Sequence, residues 1–143
     1  MKILIDADGS PVRHIVEELA EKYHIELIIV CNIHHAILSA YGKVITVDSG
    51  NDITDQEIIK RTQENDLIIT QDYGLASILL LKKAYVLNQD GWFYTNDNID
   101  TLLLQRHLSQ KMRKANRRHG QIAKRKEETN HLFKKVLEDF LNK

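Results

Sequence analysis

Short apolar runs alternate along this chain with longer stretches in which apolar residues recur every three or four positions. Residues 2–6 (Lys-Ile-Leu-Ile-Asp) are a β-branched run of strand length. Ser10-Pro11 then has the form of a helix N-cap and first helical residue. Val12, Ile15, Val16, Leu19, Ala20 and Tyr23 follow at helical spacing, so this helix has one apolar face. Residues 26–31 are almost continuously apolar, the pattern of a strand covered on both faces. Residues 43–47 give a third strand. Thr54-Asp-Gln-Glu57 fits a capping box opening a helix that ends near Glu64. Residues 67–70 give a fourth strand and 73–82 a short helix. Residues 84–88 and 92–95 flank the turn signal Gln89-Asp-Gly91, as a hairpin or as two successive strands. Asp97 starts a longer helix carrying Ile99, Leu102, Leu103, Leu108 and Met112, which Arg117-Arg-His-Gly120 ends or loosens. Leu132, Phe133, Val136, Leu137, Phe140 and Leu141 mark a last amphipathic helix.

This order predicts an α/β fold, a three-layer α/β/α arrangement around an open, mostly parallel sheet. At 143 residues the chain has the size of one ordinary domain. Its 43% hydrophobic and 28% charged residues fit a globular protein and exclude a disordered one. The longest nearly apolar run, residues 75–81, falls far short of the ~18 residues that span a bilayer. No integral membrane protein is expected. The N-terminus reaches Asp6 at once and lacks the shape of a signal peptide, which points to the cytoplasm. A single cysteine, Cys31, excludes a disulfide framework and a zinc knuckle, and is expected to pack as a small apolar residue.

A net charge of zero hides a division. Residues 1–104 carry 8 Lys and Arg against 16 Asp and Glu; residues 105–143 carry 12 against 4. Within residues 105–126 there are nine basic residues and no acid. Such asymmetry suits an acidic body beside a basic strip that holds a polyanion; the plainer alternative is a basic segment docked on the protein's own acidic face or simply solvated.

The acids fall where the predicted strands end. Asp6 closes the first strand and Asp8 follows two residues on, so both side chains point the same way if the chain stays extended. Asp48 ends the third, with Asp52 and Asp55 just beyond. Asp72 comes two residues after the fourth, and Asp90 and Asp97 follow the fifth and sixth. In a parallel sheet these ends share one edge, where the ligand crevice lies. Crowded carboxylates repel unless a cation joins them or protons are taken up. Mg²⁺ or Mn²⁺ would meet that need and clamp a phosphodiester. Taken singly, Asp52, Asp72 and Asp97 each also suit helix capping; Asp6 and Asp8 fit no such pattern.

Other chemistry is weaker. Glycine signatures for dinucleotides and P-loops are absent. Ser10 has no evident base, and capping explains it better than nucleophilic attack. His34 and His35 are adjacent and chelate poorly as a pair. Trp92, Phe93 and Tyr94 suit an alternating core strand more than base stacking. Arg106, Lys111, Arg113, Lys114, Arg117 and Arg118 can share much of one helical surface, which suits phosphate contacts.

Several motifs carry a resemblance. Asp6-Ala-Asp-Gly-Ser-Pro-Val12, Gly50-Asn-Asp-Ile-Thr-Asp55, Asp66-Leu-Ile-Ile-Thr-Gln-Asp-Tyr-Gly-Leu-Ala76, Asn88-Gln-Asp-Gly91 and Tyr94-Thr-Asn-Asp-Asn-Ile99 resemble the bacterial YaiI/YqxD family (UPF0178, DUF188) in order and spacing. That family is similar to PIN-like nuclease domains, which hold divalent metal with acids at the ends of parallel strands. The resemblance implies a PIN-like fold with Asp6, Asp8 and Asp72 as the catalytic, metal-holding acids. Asp52, Asp55 and Asp97 then lie at or just outside the coordination sphere. Two departures stand out. Gly9-Ser10 replaces the family's usual Ala-Cys before the proline. Residues 119–126 replace its usual Gly-Gly-Pro-Pro-Pro-Phe stretch.

The expected function is Mg²⁺- or Mn²⁺-dependent hydrolysis of phosphodiester bonds in nucleic acid, RNA ahead of DNA. Thr70 is expected to orient Asp72, and the basic helix to hold the strand. The alternatives are a nucleic-acid-binding protein without turnover, and a phosphatase of small phosphate esters.

Overall fold

The structure is a computed structural model. It describes every residue except 9, 36, 51 and 117–124, and for residues 113–116 the backbone alone. Along the chain run β1 (Ile3–Asp6), α1 (Arg13–Lys22), β2 (Leu27–Asn32), a 3₁₀ turn (Ile33–His35), β3 (Lys43–Val47) and α2 (Ile53–Arg61). Then come β4 (Leu67–Ile69), α3 (Tyr73–Leu81), β5 (Tyr85–Leu87), β6 (Phe93–Tyr94), α4 (Ile99–Asn116) and α5 (Glu127–Leu141).

The strands form one sheet in the order β3-β2-β1-β4-β5-β6. All neighbours are parallel except β5 and β6, which pair antiparallel with Leu87 opposite Phe93. Period-two alternation divides the buried side chains between two faces. Ile3, Ile5, Leu27, Ile29, Leu67 and Ile69 meet α1 and α5, whose Phe133 and Leu137 are fully buried. Leu4, Ile28, Val30, Ile68 and Val86 face the other way, against Ile58 of α2, Leu75 and Leu79 of α3 and Ile99 of α4. The result is the expected three-layer α/β/α fold with a mostly parallel sheet. Among the described residues no helix is long and apolar enough to cross a membrane.

Three helix starts differ from the sequence expectation. Helix α1 begins at Arg13, two residues after Pro11, and Ser10 does not cap it; the Ser10 hydroxyl instead accepts a bond from the Val12 amide at 3.4 Å. Helix α2 has no capping box. It follows Asp52, whose φ of 63° lies in the left-handed region, and no side chain caps it. Helix α4 is opened by Thr95 rather than Asp97. The Asn98 carboxamide oxygen accepts from the Thr95 amide, the Thr95 hydroxyl accepts from the Asn98 amide, and the Ile99 amide reaches the Thr95 carbonyl at 3.0 Å.

The β5–β6 connection is a hairpin. Gly91 turns it at φ 91°, and a Cβ there would lie 3.1 Å from Leu132 and 3.2 Å from the Phe133 amide. This reversal matters for the site. It carries the chain to the amino edge of the sheet, so α4 starts there and runs back toward the carboxyl edge.

Candidate functional site

In an open sheet of this order the crossover connections reverse between β1 and β4, and the crevice outside that point is where ligands sit. Asp6 ends β1 and Asp72 follows β4, so the two flank the reversal directly. Thr70 joins them: its hydroxyl donates to Asp6 Oδ2 at 3.1 Å and accepts from the Asp72 amide at 3.0 Å. Thr70 therefore orients the Asp6 carboxylate and holds the backbone of Asp72. Behind it, the Tyr94 hydroxyl donates to the Thr70 carbonyl at 3.3 Å and accepts from the Asn88 amide group at 2.8 Å. Asp8 is fixed from both sides, accepting from the Asn32 backbone amide at 2.8 Å and from the Thr54 hydroxyl at 3.3 Å.

Asp55, in the first turn of α2, completes the group, close enough to Asp72 for the two carboxyl groups to interact. Burial raises the Asp6 pKa to about 6; the Thr70 bond works against this, and the charges of Asp8 and Asp72 add to it. Burial likewise lifts Asp55 to about 7, with the charges of Asp72, Asp6 and Asp52 behind it. Both carboxyl groups thus bind protons more tightly than a free carboxylate, through burial first and through the like charges around them second.

Asp72 has two further partners. Its Oδ1 accepts from the Leu75 amide at 3.1 Å and caps α3. Arg106 of α4 approaches the same oxygen at 3.6 Å, with its guanidinium 5.9 Å from the centre of the Tyr73 ring. An open cleft of about 610 Å³ lies between them, walled by Asp6, Asp72 and Tyr73, by Asn88 and Asp90 of the hairpin, and by Gln105 and Arg106. Asp90 is engaged by Arg125 at 2.7 Å.

The donors are all carboxylate oxygens, the set that hard cations take. Among the described residues no three His, Cys, Asp or Glu side chains converge on one metal-sized point. An Mg²⁺-type ion needs only one or two carboxylates and keeps several waters, so Asp72 with Asp6 or Asp55 meets its demand.

The site thus gathers Asp6, Asp8, Asp55 and Asp72, with Asp52 close enough for its charge to bear on Asp55. It does not gather Asp97. Expecting every strand end on one edge requires every strand to be parallel, and antiparallel β6 delivers Asp97, exposed, to the opposite edge. Of the basic residues expected to share much of one helical surface, two have described side chains. Arg106 faces the cleft, and Lys111, five residues on, is turned away by about 140°. Arg113 and Lys114 have no described side chains, and Arg117 and Arg118 lie outside the described residues. Ser10 makes only its local bond.

Residues 4–143 match the family described as "Uncharacterized BCR, YaiI/YqxD family". The chain belongs to the YaiI/YqxD family. It is similar to a UPF0178 protein of Alkaliphilus oremlandii, 44% identical over 142 residues that cover 99% of this chain and 92% of that one. A UPF0178 protein of Natranaerobius thermophilus is 45% identical over 141 residues, covering 99% and 96%. One of Ruminiclostridium cellulolyticum is 45% identical over 137 residues, covering 96% and 90%. No solved structure matches the chain.

Of the two departures from the usual YaiI/YqxD pattern, Gly9 and most of 119–126 lie outside the described residues. In this YaiI/YqxD chain the residues that sequence reasoning missed are the supports. From sequence Thr54 has the form of a cap residue, and Asn88 and Tyr94 fall in the two strands that flank the Gln89-Asp-Gly91 turn. Thr54 and Asp8 are 46 positions apart, and only the fold brings them together. Tyr73 and Gln105 carried no signal, since each looks like an ordinary helix residue.

Proposed function

We propose that this protein is a divalent-metal-dependent hydrolase of phosphodiester bonds in nucleic acid, with RNA placed ahead of DNA on its resemblance to PIN-like nucleases. The observation that carries the reading is the cluster at the β1/β4 reversal. Asp6, Asp55 and Asp72 come from three separate elements, and burial and mutual repulsion raise the proton affinity of two of them. When bound, Mg²⁺ or Mn²⁺ supplies an activated water and neutralises charge developing on phosphoryl oxygens.

The chain's own groups have definite parts. Asp72 and Asp6 would offer carboxylate oxygens to such a cation, and Asp55 would hold or release a proton at its own carboxyl group beside them. Thr70, and Thr54 with the Asn32 amide, fix Asp6 and Asp8 so that binding costs little reordering. Arg106 supplies the positive group beside the acids, placed to hold a phosphate oxygen. The cleft is open and lined by amides and charges, which suits a strand laid across it.

The test is cleavage of labelled single- and double-stranded RNA and DNA with Mn²⁺, Mg²⁺ or EDTA, using wild type and an Asp6→Asn/Asp8→Asn variant purified identically. The expected result is metal-dependent cleavage that the variant lacks. Equal cleavage by both proteins, or none by either, overturns the reading.

A further inference from the structure

Helix α4 is apolar on two opposite sides, and the body of the protein covers only one. Ile99, Leu102 and Leu103 pack inward against the layer of α2 and α3. Leu104, Leu108 and Met112 recur at i, i+4 and i+8 and form a second stripe, rotated to the far side of the helix at 100° per residue. They are 58%, 50% and 64% exposed. A surface helix needs a single apolar stripe to hold its place. This second one spans just over two turns and belongs to neither hydrophobic core cluster of the described residues.

The charges beside the stripe say what can cover it. Asp100 and Lys111 lie on the same flank, at opposite ends, and neither has an ion-pair partner among the described residues. The other flank carries the uncharged Gln105 and Ser109. Two helices packed antiparallel bring like flanks together, and charges beside an apolar seam set partner and direction. In that arrangement Asp100 meets the second copy's Lys111, twice over, while Leu104 packs on the second copy's Leu108. A parallel pair would bring unlike flanks together and set both charges against uncharged Gln105 and Ser109, with no ion pair formed. The two helix dipoles also oppose, which favours the antiparallel pair.

We propose that the outward face of α4 docks on the same face of a second copy of this chain, as a two-fold antiparallel helix pair. A seam of three side chains per copy is small beside the roughly 1,200 Å² of a stable interface, so the dimer is weak, with a dissociation constant in the micromolar range. Arg106 lies on the inward side, while Gln105 and Ser109, on the uncharged flank of the seam, also line the cleft, so the paired helices run along the edge of the cleft. The proposal stands independently of what the cleft hydrolyses.

Sedimentation velocity from about 1 to 200 µM tests it, a span bracketing micromolar dissociation constants. Wild type is expected to shift from monomer to dimer across the range. Leu108→Glu, on an exposed face, is expected to stay monomeric with an unchanged circular dichroism spectrum. Asp100→Lys and Lys111→Asp are each expected to weaken the dimer about three- to tenfold, and the double variant to restore it, since the two pairs then reform with their signs exchanged. A wild type that stays monomeric, a dimer indifferent to Leu108→Glu, or a double variant weaker than either single one overturns the proposal. So does a Leu108→Glu protein that dimerises normally but loses oligonucleotide binding, which would make the stripe a nucleic-acid face.

Discussion

The two edges of the sheet both bury aspartates, and treat them in opposite ways. At the amino edge Asp66 is 3% exposed and fully answered. Lys2 Nζ lies 2.6 Å from Oδ2, the Gln63 amide donates to the same oxygen at 2.8 Å, and the Lys2 amide donates to Oδ1 at 3.1 Å. Burial alone would raise its pKa, but the Lys2 bond and the two amides outweigh it and hold the group below the usual carboxylate range. At the carboxyl edge burial raises the pKa values of Asp6 and Asp55 to about 6 and about 7, and like-charged neighbours add to the rise where donors are too few to offset it. The same side chain keeps its charge where donors match it and shifts toward the protonated form where they do not.

The largest expected effect breaks the matched side. Asp66→Ala leaves a part-buried ammonium and two backbone amides without an acceptor, and is expected to cost about 3 kcal/mol of stability, read by urea unfolding at pH 7. Asp6→Asn under the same conditions is expected to cost nothing or to stabilise. A destabilisation by Asp6→Asn as large as that of Asp66→Ala would show that both acids are structural.

The next effect is a pH dependence of opposite sign. Asp6 and Asp55 bind protons more tightly in the folded chain than in the unfolded one. Stability from these groups is therefore greatest when both are protonated, and falls as pH rises from about 4 to about 7. Asp66 is depressed on folding, so its contribution is present above about pH 4 and lost as pH falls below it. Asp55→Asn is expected to flatten the slope between pH 5 and 7 and to raise stability at pH 8 by about 1 kcal/mol, discounted from the full shift for its part-exposed position. An unchanged slope in that variant would mean that Asp55 is ionised throughout.

How much of this was legible in the sequence depended on whether a feature was local. The strand cores of β1, β2 and β4 are short apolar runs that no helix period explains, and their bounds differ from the reading by a residue or two. The carboxyl-edge acids followed from those bounds, since parallel strands bring their ends together wherever they lie in the chain. Asp97 failed because strand direction is not written in a strand. The turn at Gln89-Asp-Gly91 allowed a hairpin, yet placing Asp97 with the others required β6 to be parallel. The hydroxyls failed for the same reason. Ser10 and Thr54 have the spacing of caps, and a spacing cannot show that a carboxylate 46 positions away competes for the Thr54 hydroxyl. Arg106 was visible only as one charge in a run. Its separation from Lys111 comes from which side of α4 the body covers.

Thr54 gives the smallest effect and the finest test of the unmatched edge. A capping box would have the Thr54 hydroxyl accept from the start of α2, with Glu57 reaching back to it. Instead the hydroxyl donates to Asp8 Oδ2, and Glu57 pairs with Arg61 at 2.6 Å. Thr54→Val removes the donor with little change of shape, and is expected to cost about 0.5–1.5 kcal/mol. A cap would cost a similar amount, so the single variant decides nothing, and the coupling must be measured. If the hydroxyl serves Asp8, Thr54→Val loses most of its effect in an Asp8→Ala background and stays additive with Glu57→Ala. Coupling to Glu57 in place of Asp8 would return Thr54 to the helix start. Asp8 would then be held by the Asn32 amide alone, leaving the carboxyl edge still further from the fully answered state of Asp66.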